Sequence, residues 1–363
     1  MSVTGRKCFQ SLPYQGVAFG VAAAILFGLS SPLAKLLLKE SDPLLLAALL
    51  YLGAGAGLFA FELLLSRFST TRPLRQETPI RREDLALLFG ILLTGGILGP
   101  ILLLAGLQRL SAVVGSLLLN LEAPFTILLA VGLFRKHLGR REIGAILLIV
   151  IGVGFLNYHP GEIRTDWLGV AAIAAACLSW AIDNNLTQRL SLRDPIAIVR
   201  AKTLGAGIFT LVLALGLGRR LPNPGILGSA LALGFMSYGV SVVLDLYALR
   251  MLGAAREAAF FATAPFIGAV AAVPLLGEQW TTTAMVSSVI IATGVLLLLS
   301  EHHSHLHLHE ETEHDHRHAH TDHHQHAHEL PEETLEPHAH AHRHLPLAHD
   351  HPHVPELHHR HDH

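Results

Sequence analysis

Cysteine and charge are both scarce in this chain. Only Cys8 and Cys177 occur among 363 residues, so neither a disulfide framework nor a thiolate metal site is indicated. Charged residues make up 15% of the chain against 51% hydrophobic, a balance that excludes an ordinary soluble protein of this length. No Walker-type glycine loop is present, so ATP drive has no motif behind it. There is also no HExxH helix, no nucleophile with its base and no pair of catalytic carboxylates, which leaves an enzyme without its usual parts. Histidine is missing from the apolar runs: His137 and His159 fall in loops, and the other 24 of the 26 histidines lie between His302 and His363.

What the chain has in abundance is long apolar runs. A helix needs about 20 such residues to cross the hydrocarbon core. On that basis ten spans are expected, near 15–38, 43–65, 85–107, 112–133, 142–157, 167–188, 195–216, 225–246, 254–276 and 281–300. The first is longer than a signal-peptide core and reads as a retained span. The fold class is therefore all-α, an integral membrane protein in a lipid bilayer. With the N-terminus inside, 17 Lys and Arg fall in or near cytoplasmic loops, against six on the other side: Lys35, Lys39, Arg109, Arg164, Arg219 and Arg220. The positive-inside rule then predicts that both termini are cytoplasmic.

The two halves resemble each other. "SDPLLLAALLYLGAGAG" (41–57) aligns without gaps on "RDPIAIVRAKTLGAGIF" (193–209), and "LQRLSA" (107–112) on "LRMLGA" (249–254). "EAPF" (122–125) matches "TAPF" (263–266). Each copy has five spans, an odd number, so the second is expected to lie inverted relative to the first, a plan that places substrate near the midplane between the copies. The expected organisation is an N-terminus at 1–14, a first repeat at 15–157, a connecting loop at 158–166, a second repeat at 167–300 and a tail at 301–363.

These paired halves, the "APF" in the fourth helix of each, and "LLGE" (275–278) before a final glycine-containing apolar helix resemble the EamA-type branch of the drug/metabolite transporter superfamily. The resemblance covers the membrane body, 15–300. It implies a small-molecule carrier, often an exporter, without naming the substrate. One departure is visible: where the second half has Gly277 and Glu278, the first has Lys136 and His137.

An ionisable group at the bilayer centre costs at least about 2.5 kcal/mol on insertion scales, so it tends to have a partner or a purpose. Glu122 is the clearest case, mid-span beside Asn120 and two residues before Pro124. Asp183, Asn184 and Asn185 form a second polar cluster in the sixth span. These five are the candidate substrate or coupling residues. Glu62, Arg200, Lys202, Asp245 and Glu257 lie near cytoplasmic ends, where interfacial ion pairs, snorkelling or gates are expected. Gly53 and Gly57 have the spacing that lets helices approach closely. Gly95, Gly96, Gly99 and Pro100, with Pro124 and Pro265, are expected hinges or helix breaks.

The tail is a different material. His302, His303, His305, His307, His309, His314, His316, His318, His320, His323, His324, His326 and His328 are interspersed with carboxylates. Imidazole suits zinc, nickel, cobalt and copper, yet the spacing fits no single structural site. Its Pro, Glu and His content predicts a disordered, multi-site metal-binding segment. By charge the body is about +8 (23 Lys/Arg, 15 Asp/Glu) and the tail about −10 (3 against 13), so nucleic acid is not an expected partner.

The sequence, with this resemblance, therefore supports a ten-span secondary transporter of a small metabolite or drug-like molecule, working by alternating access and coupled to protons or cations; the resemblance implies a bacterial inner membrane. A homodimer is compatible with it, and no cofactor is required. One alternative makes nickel, cobalt or zinc the cargo and the tail its collector. Another is a membrane-anchored metal buffer or sensor.

Overall fold

A computed structural model describes residues 14–68, 80–134, 139–156, 166–190, 193–252 and 254–299, and the backbone of 303–309, 312–318, 338–344 and 347–353. Nine helical segments among these residues are long and apolar enough to cross a membrane. Several are broken rather than continuous. The first comprises α1 (Tyr14–Gly28) and α2 (Ser30–Leu37), with α3 (Pro43–Phe68) the second. The third passes from α4 (Leu85–Ile91) through a π-helical segment, Leu92–Leu98, to α5 (Gly99–Arg109). The fourth joins α6 (Ala112–Leu118) to α7 (Glu122–Phe134) through a 3-10 turn, Leu119–Leu121.

After α8 (Arg140–Leu156) come α9 (Trp167–Thr187) and α10 (Pro195–Gly216). Then α11 (Pro224–Gly234) leads through a second π-helical segment, Phe235–Val240, to α12 (Ser241–Leu252). The last two spans are α13 (Ala254–Phe261) with α14 (Ala264–Leu276), and α15 (Thr282–Leu299). The expected fifth span, 142–157, corresponds to α8, which at 17 residues is about 25 Å long. That is short of a hydrocarbon core of about 30 Å; α8 packs along α15 instead of standing apart.

The principal pairings are α3 with α10, α8 with α15, α5 with α9 and α1 with α12. Small residues permit them. A Cβ on Gly53 would come within 2.7 Å of the Leu231 Cα, and one on Gly234 within 2.8 Å of the Leu50 Cα, so α3 and α11 touch backbone to backbone. On the other side of α3, a Cβ on Gly207 would lie 2.8 Å from the Leu52 amide and one on Gly55 the same distance from the Leu204 amide. Without a hydrophobic drive between helices in lipid, such close approaches supply the packing.

The span ends are tied by ion pairs and caps. At one end Arg193 reaches Asp84 at 2.8 Å and Glu83 at 3.1 Å, and the Asp194 carboxylate accepts from the Ile196 and Ala197 amides at the start of α10. At the other, Arg219 meets Asp42 at 3.4 Å, Asn223 donates to Glu40 at 3.1 Å and Arg109 donates to Asp166 at 2.9 Å. The Arg109 hydrogen bond, then the Gly169 amide, holds the Asp166 carboxyl below its usual range.

In the tail, β1 (His303–His309) pairs antiparallel with β4 (Leu347–His353), and β2 (Thr312–His318) with β3 (His338–His344). The register sets His305 opposite His351 and His316 opposite His340. The alternation "HSHLHLH" has the period of two that a pleated strand needs. Of the candidate ligands, His302, His320, His323, His324, His326 and His328 lie outside the described residues, as do the loop positions Lys136 and His137.

Overpacking a close-fitting interior costs about 1–3 kcal/mol, so Gly234→Ala is expected to lower the melting temperature of the detergent-solubilised protein. Gly154, where an added Cβ meets nothing within 4 Å, is the control. Gly154→Ala should be neutral or stabilising by up to about 1 kcal/mol through helix propensity.

Candidate functional site

The broken spans converge on the middle of the molecule. Glu122 is the first residue of α7, directly after the 3-10 turn, and Asn184 donates to its Oε1 from α9 at 2.8 Å. One residue earlier on α9, Asp183 is 4% exposed and forms an ion pair with Lys202 of α10. Thr187 adds a longer hydrogen bond to Asp183, 3.4 Å. Glu122 lies within electrostatic reach of both Asp183 and Lys202. Two acids and one cation from three spans therefore share one neighbourhood.

Each of the other expected polar residues proves to satisfy backbone. Asn120 donates to the Leu117 carbonyl at 2.9 Å, within the break itself. Asn185 donates to Ala181 and, across to α7, to the Thr126 carbonyl at 3.2 Å. Cys177, which sequence reasoning set aside, points its thiol at the Leu118 and Leu119 carbonyls, at 3.7 and 3.9 Å. Its position on α9 opposite the break was not readable without the fold.

The expected glycine hinge has a more specific role. Gly95 and Gly96 sit inside the first π-helical segment, and the Gly95 carbonyl accepts from Tyr51 Oη at 2.8 Å and from Trp180 Nε1 at 3.2 Å. A Cβ on Gly95 would lie 2.6 Å from Asp183 Oδ1, and one on Gly99 2.9 Å from Trp180 Cδ1. Glycine here lets α9 come close, while Pro100 occupies the first turn of α5, where a missing N–H is harmless. Pro124 and Pro265 likewise lie in the first turns of α7 and α14. They start new helices after a break and do not bend continuous ones.

Aromatic rings line the neighbourhood of the charged cluster. Tyr51 and Tyr238 have ring centroids 5.6 Å apart, and Phe27 lies 5.9 Å from Tyr238 and 5.0 Å from Phe261. Tyr51 is within electrostatic reach of both Asp183 and Glu122. Tyr238 belongs to the second π-helical segment, for which "FMSYGV" carried no clear sequence signal.

The expected interfacial residues separate into three cases. Glu62 and Arg200 form an ion pair, with the guanidinium 6.0 Å from the Phe59 ring centroid. Lys202 belongs to the central cluster through Asp183. Asp245 and Glu257 lie within electrostatic reach of each other. Asp245 Oδ1 is buried without a hydrogen-bond partner. Among the described residues no three His, Cys, Asp or Glu side chains come together as a metal-ion site.

This chain is similar to known proteins over its whole membrane body. The family model of EamA-like transporters matches residues 14–158 and again 167–300. A protein of Methanothermobacter thermautotrophicus named only as an uncharacterized transporter is 32% identical over 298 residues, covering 77% of this chain and 84% of its own. A solved crystal structure at 19% identity superposes with a TM-score of 0.56, covering 79% of this chain and 98% of that one, a likeness of fold. The chain belongs to the EamA-like transporter family.

Proposed function

We propose that this membrane transporter is a secondary carrier that exports a small metabolite or drug-like molecule by alternating access between two inverted five-helix repeats. Counting α8 as a span gives ten. The packing supports the repeat: exchanging each span for the one five places on turns the α5–α9 contact into α12–α1, and α3–α10 and α8–α15 into themselves. Both third-position spans carry a π-helical segment, and both fourth-position spans break just before an "APF". π-Helical turns are frequent at functional sites.

The observation that carries the reading is the Glu122–Asn184 contact beside the Asp183–Lys202 pair, where α7, α9 and α10 meet. A carboxyl in that place is suited to exchange a proton or to meet a cationic group of the substrate. Asp183 offsets the charge of Lys202, so Glu122 is the acid free to respond. We place both termini in the cytoplasm, by the distribution of Lys and Arg, and the protein in a bacterial inner membrane. The tail is then a cytoplasmic metal-binding segment that buffers or regulates.

A metal cargo is the second reading, favoured by the tail's 24 histidines. The described membrane residues offer it no cluster of ligands, and for that reason the organic substrate is preferred.

Proteoliposomes holding residues 1–301 should show no saturable flux of nickel, cobalt or zinc, and should move at least one member of a panel of small organic cations, amino acids and drug-like compounds. Glu122→Gln should cut that flux at least about tenfold, since about 1.4 kcal/mol in a barrier is a factor of ten, with the melting temperature little changed. Saturable metal flux that is lost in Glu122→Gln would make the metal the cargo.

Removal of residues 302–363 should abolish multi-site zinc binding, measured by calorimetry on the full chain and the truncation, and leave organic flux intact. Zinc affinity of the full chain should fall as pH is lowered through about 6.5, because protonated imidazole is no longer a ligand.

A further inference from the structure

At one face of the molecule two charges outside the central site grip the hairpin between α5 and α6. Lys35, in α2, donates from Nζ to the Leu107 carbonyl at 2.7 Å and to the Leu110 carbonyl. Both belong to the last turn of α5 or its cap. Glu278, two residues beyond α14, accepts from the Ala112 amide at 2.7 Å and the Val113 amide at 2.9 Å. These are the first two amides of α6, and Ser111 Oγ takes the third, from Val114, at 3.2 Å.

The hairpin thus has a cation on its carbonyl end and an anion on its amide end, the arrangement that helix dipoles favour at each. Leu107, Leu110, Ala112 and Val113 are all buried, so water does not readily replace a lost partner. Gly277 makes the grip geometrically available. At φ +70° it closes α14 in the left-handed conformation and turns the chain, so that Glu278 arrives at α6.

The other face carries the repeat-related hairpin, between α12 and α13, and its matching positions have none of these residues. By the repeat alignment Thr187 stands for Lys35, Gly253 for Ser111 and His137 for Glu278. The hydroxyl of Thr187 turns back to Asp183. The asymmetry is therefore written in the sequence.

We propose that Lys35 and Glu278 are positioning residues of the transport cycle, a one-sided latch that ties the α5–α6 hairpin to α2 and to the end of α14 and must release for the pathway to open at that face. This rests on the alternating-access reading. The latch favours the conformation closed at its own face, and the repeat-related positions of the opposite face, Thr187 and His137, do not carry its two charges.

The test needs no substrate. In the full chain with Cys8→Ser, a reporter cysteine is placed behind the latched hairpin (Ser116→Cys, a buried position) or at the other face (Ala258→Cys). A membrane-impermeant maleimide is applied to right-side-out and inside-out vesicles, and protein without the reporter, Cys177 in place, gives the background. Lys35→Met and Glu278→Gln should each speed Ser116→Cys labelling by about threefold to tenfold, as expected for losing charge-assisted hydrogen bonds, and slow Ala258→Cys labelling in return. Unchanged Ser116→Cys labelling in protein that elutes as a single folded species overturns the latch. Faster labelling there with Ala258→Cys unaffected overturns the alternating-access reading beneath it. Should Glu278→Gln not fold, Glu278→Asp, which keeps the charge and shortens the reach, gives the same comparison. Exchanging the charges, Lys35→Glu with Glu278→Lys, should not restore slow labelling, because each group caps a helix end; restoration would show a simple mutual ion pair and overturn the capping.

Discussion

In hydrocarbon an unpaired peptide group costs several kcal/mol, so a helix that breaks inside a membrane must find partners for the groups it frees. That constraint organises this molecule. The break before α7 is satisfied by Asn120 on the Leu117 carbonyl, by the Cys177 thiol at Leu118 and Leu119, and by Thr126 on the Glu122 carbonyl at 2.9 Å. The break before α14 has Thr263 on the Phe260 carbonyl, and the first π-helical segment has Tyr51 and Trp180 on Gly95. In the second, Ser237 donates at 2.8 Å to Leu26 of α1, and just beyond it Ser241 donates at 3.1 Å to Ala23. Most of the polar residues in the core are therefore occupied with backbone, and Glu122 with Asn184 stands out, beside Asp183 with Lys202 and Thr187, because its hydrogen bond joins two side chains.

The charges obey the same logic. A buried acid without a partner is expensive, while a buried pair is tolerable only with good geometry and further hydrogen bonds. Asp183 has Lys202 and Thr187; Asp84 has Arg193 and the Arg81 amide at 2.8 Å. Glu122 has an amide donor and no cation of its own. A group held by a neutral donor changes its charge at less cost to its surroundings than one locked in an ion pair, which fits it to respond to a proton or a cationic ligand.

Much of this was legible in the sequence, for identifiable reasons. The spans were readable because apolar run length is a direct consequence of bilayer thickness, and Glu122 drew notice because a carboxylate is costly in lipid and needs a partner or a purpose. Gly53 and Gly57 were readable from spacing; Gly53 meets Leu231 of α11 and Gly57 meets Phe235 at the start of the second π-helical segment. What was not readable depended on which span lies beside which. Cys177 and Trp180 look like ordinary core residues until α9 is placed against the breaks. Lys35 and Glu278, 243 residues apart in sequence, have no local mark of their connection through the α5–α6 hairpin. That Asp245 and Glu257 lie within electrostatic reach of each other was not readable, because position near a span end says nothing of the neighbour's sign. A helix, α8, stands where the fifth span was expected, but it is shorter than a membrane crossing and packs along α15.

Two copies with equal energetics would favour neither face, and a carrier with direction needs its halves to differ. Here the difference is concentrated in few positions. Glu122 has Thr263 for its repeat partner, and Thr263 Oγ1 is spent on the Phe260 carbonyl, so the responsive acid exists in one half only. The helix-capping charges Lys35 and Glu278 likewise have Thr187 and His137 at their repeat-related positions. On the proposed alternating-access reading, the shared scaffold, with its matched π-helical segments and broken fourth spans, would supply two related conformations of similar energy, and these few unmatched side chains would decide how the chain divides its time between them. A population ratio of ten needs only about 1.4 kcal/mol, which is within the reach of one or two charge-assisted hydrogen bonds. The symmetry provides the motion, and the departures from symmetry provide its bias.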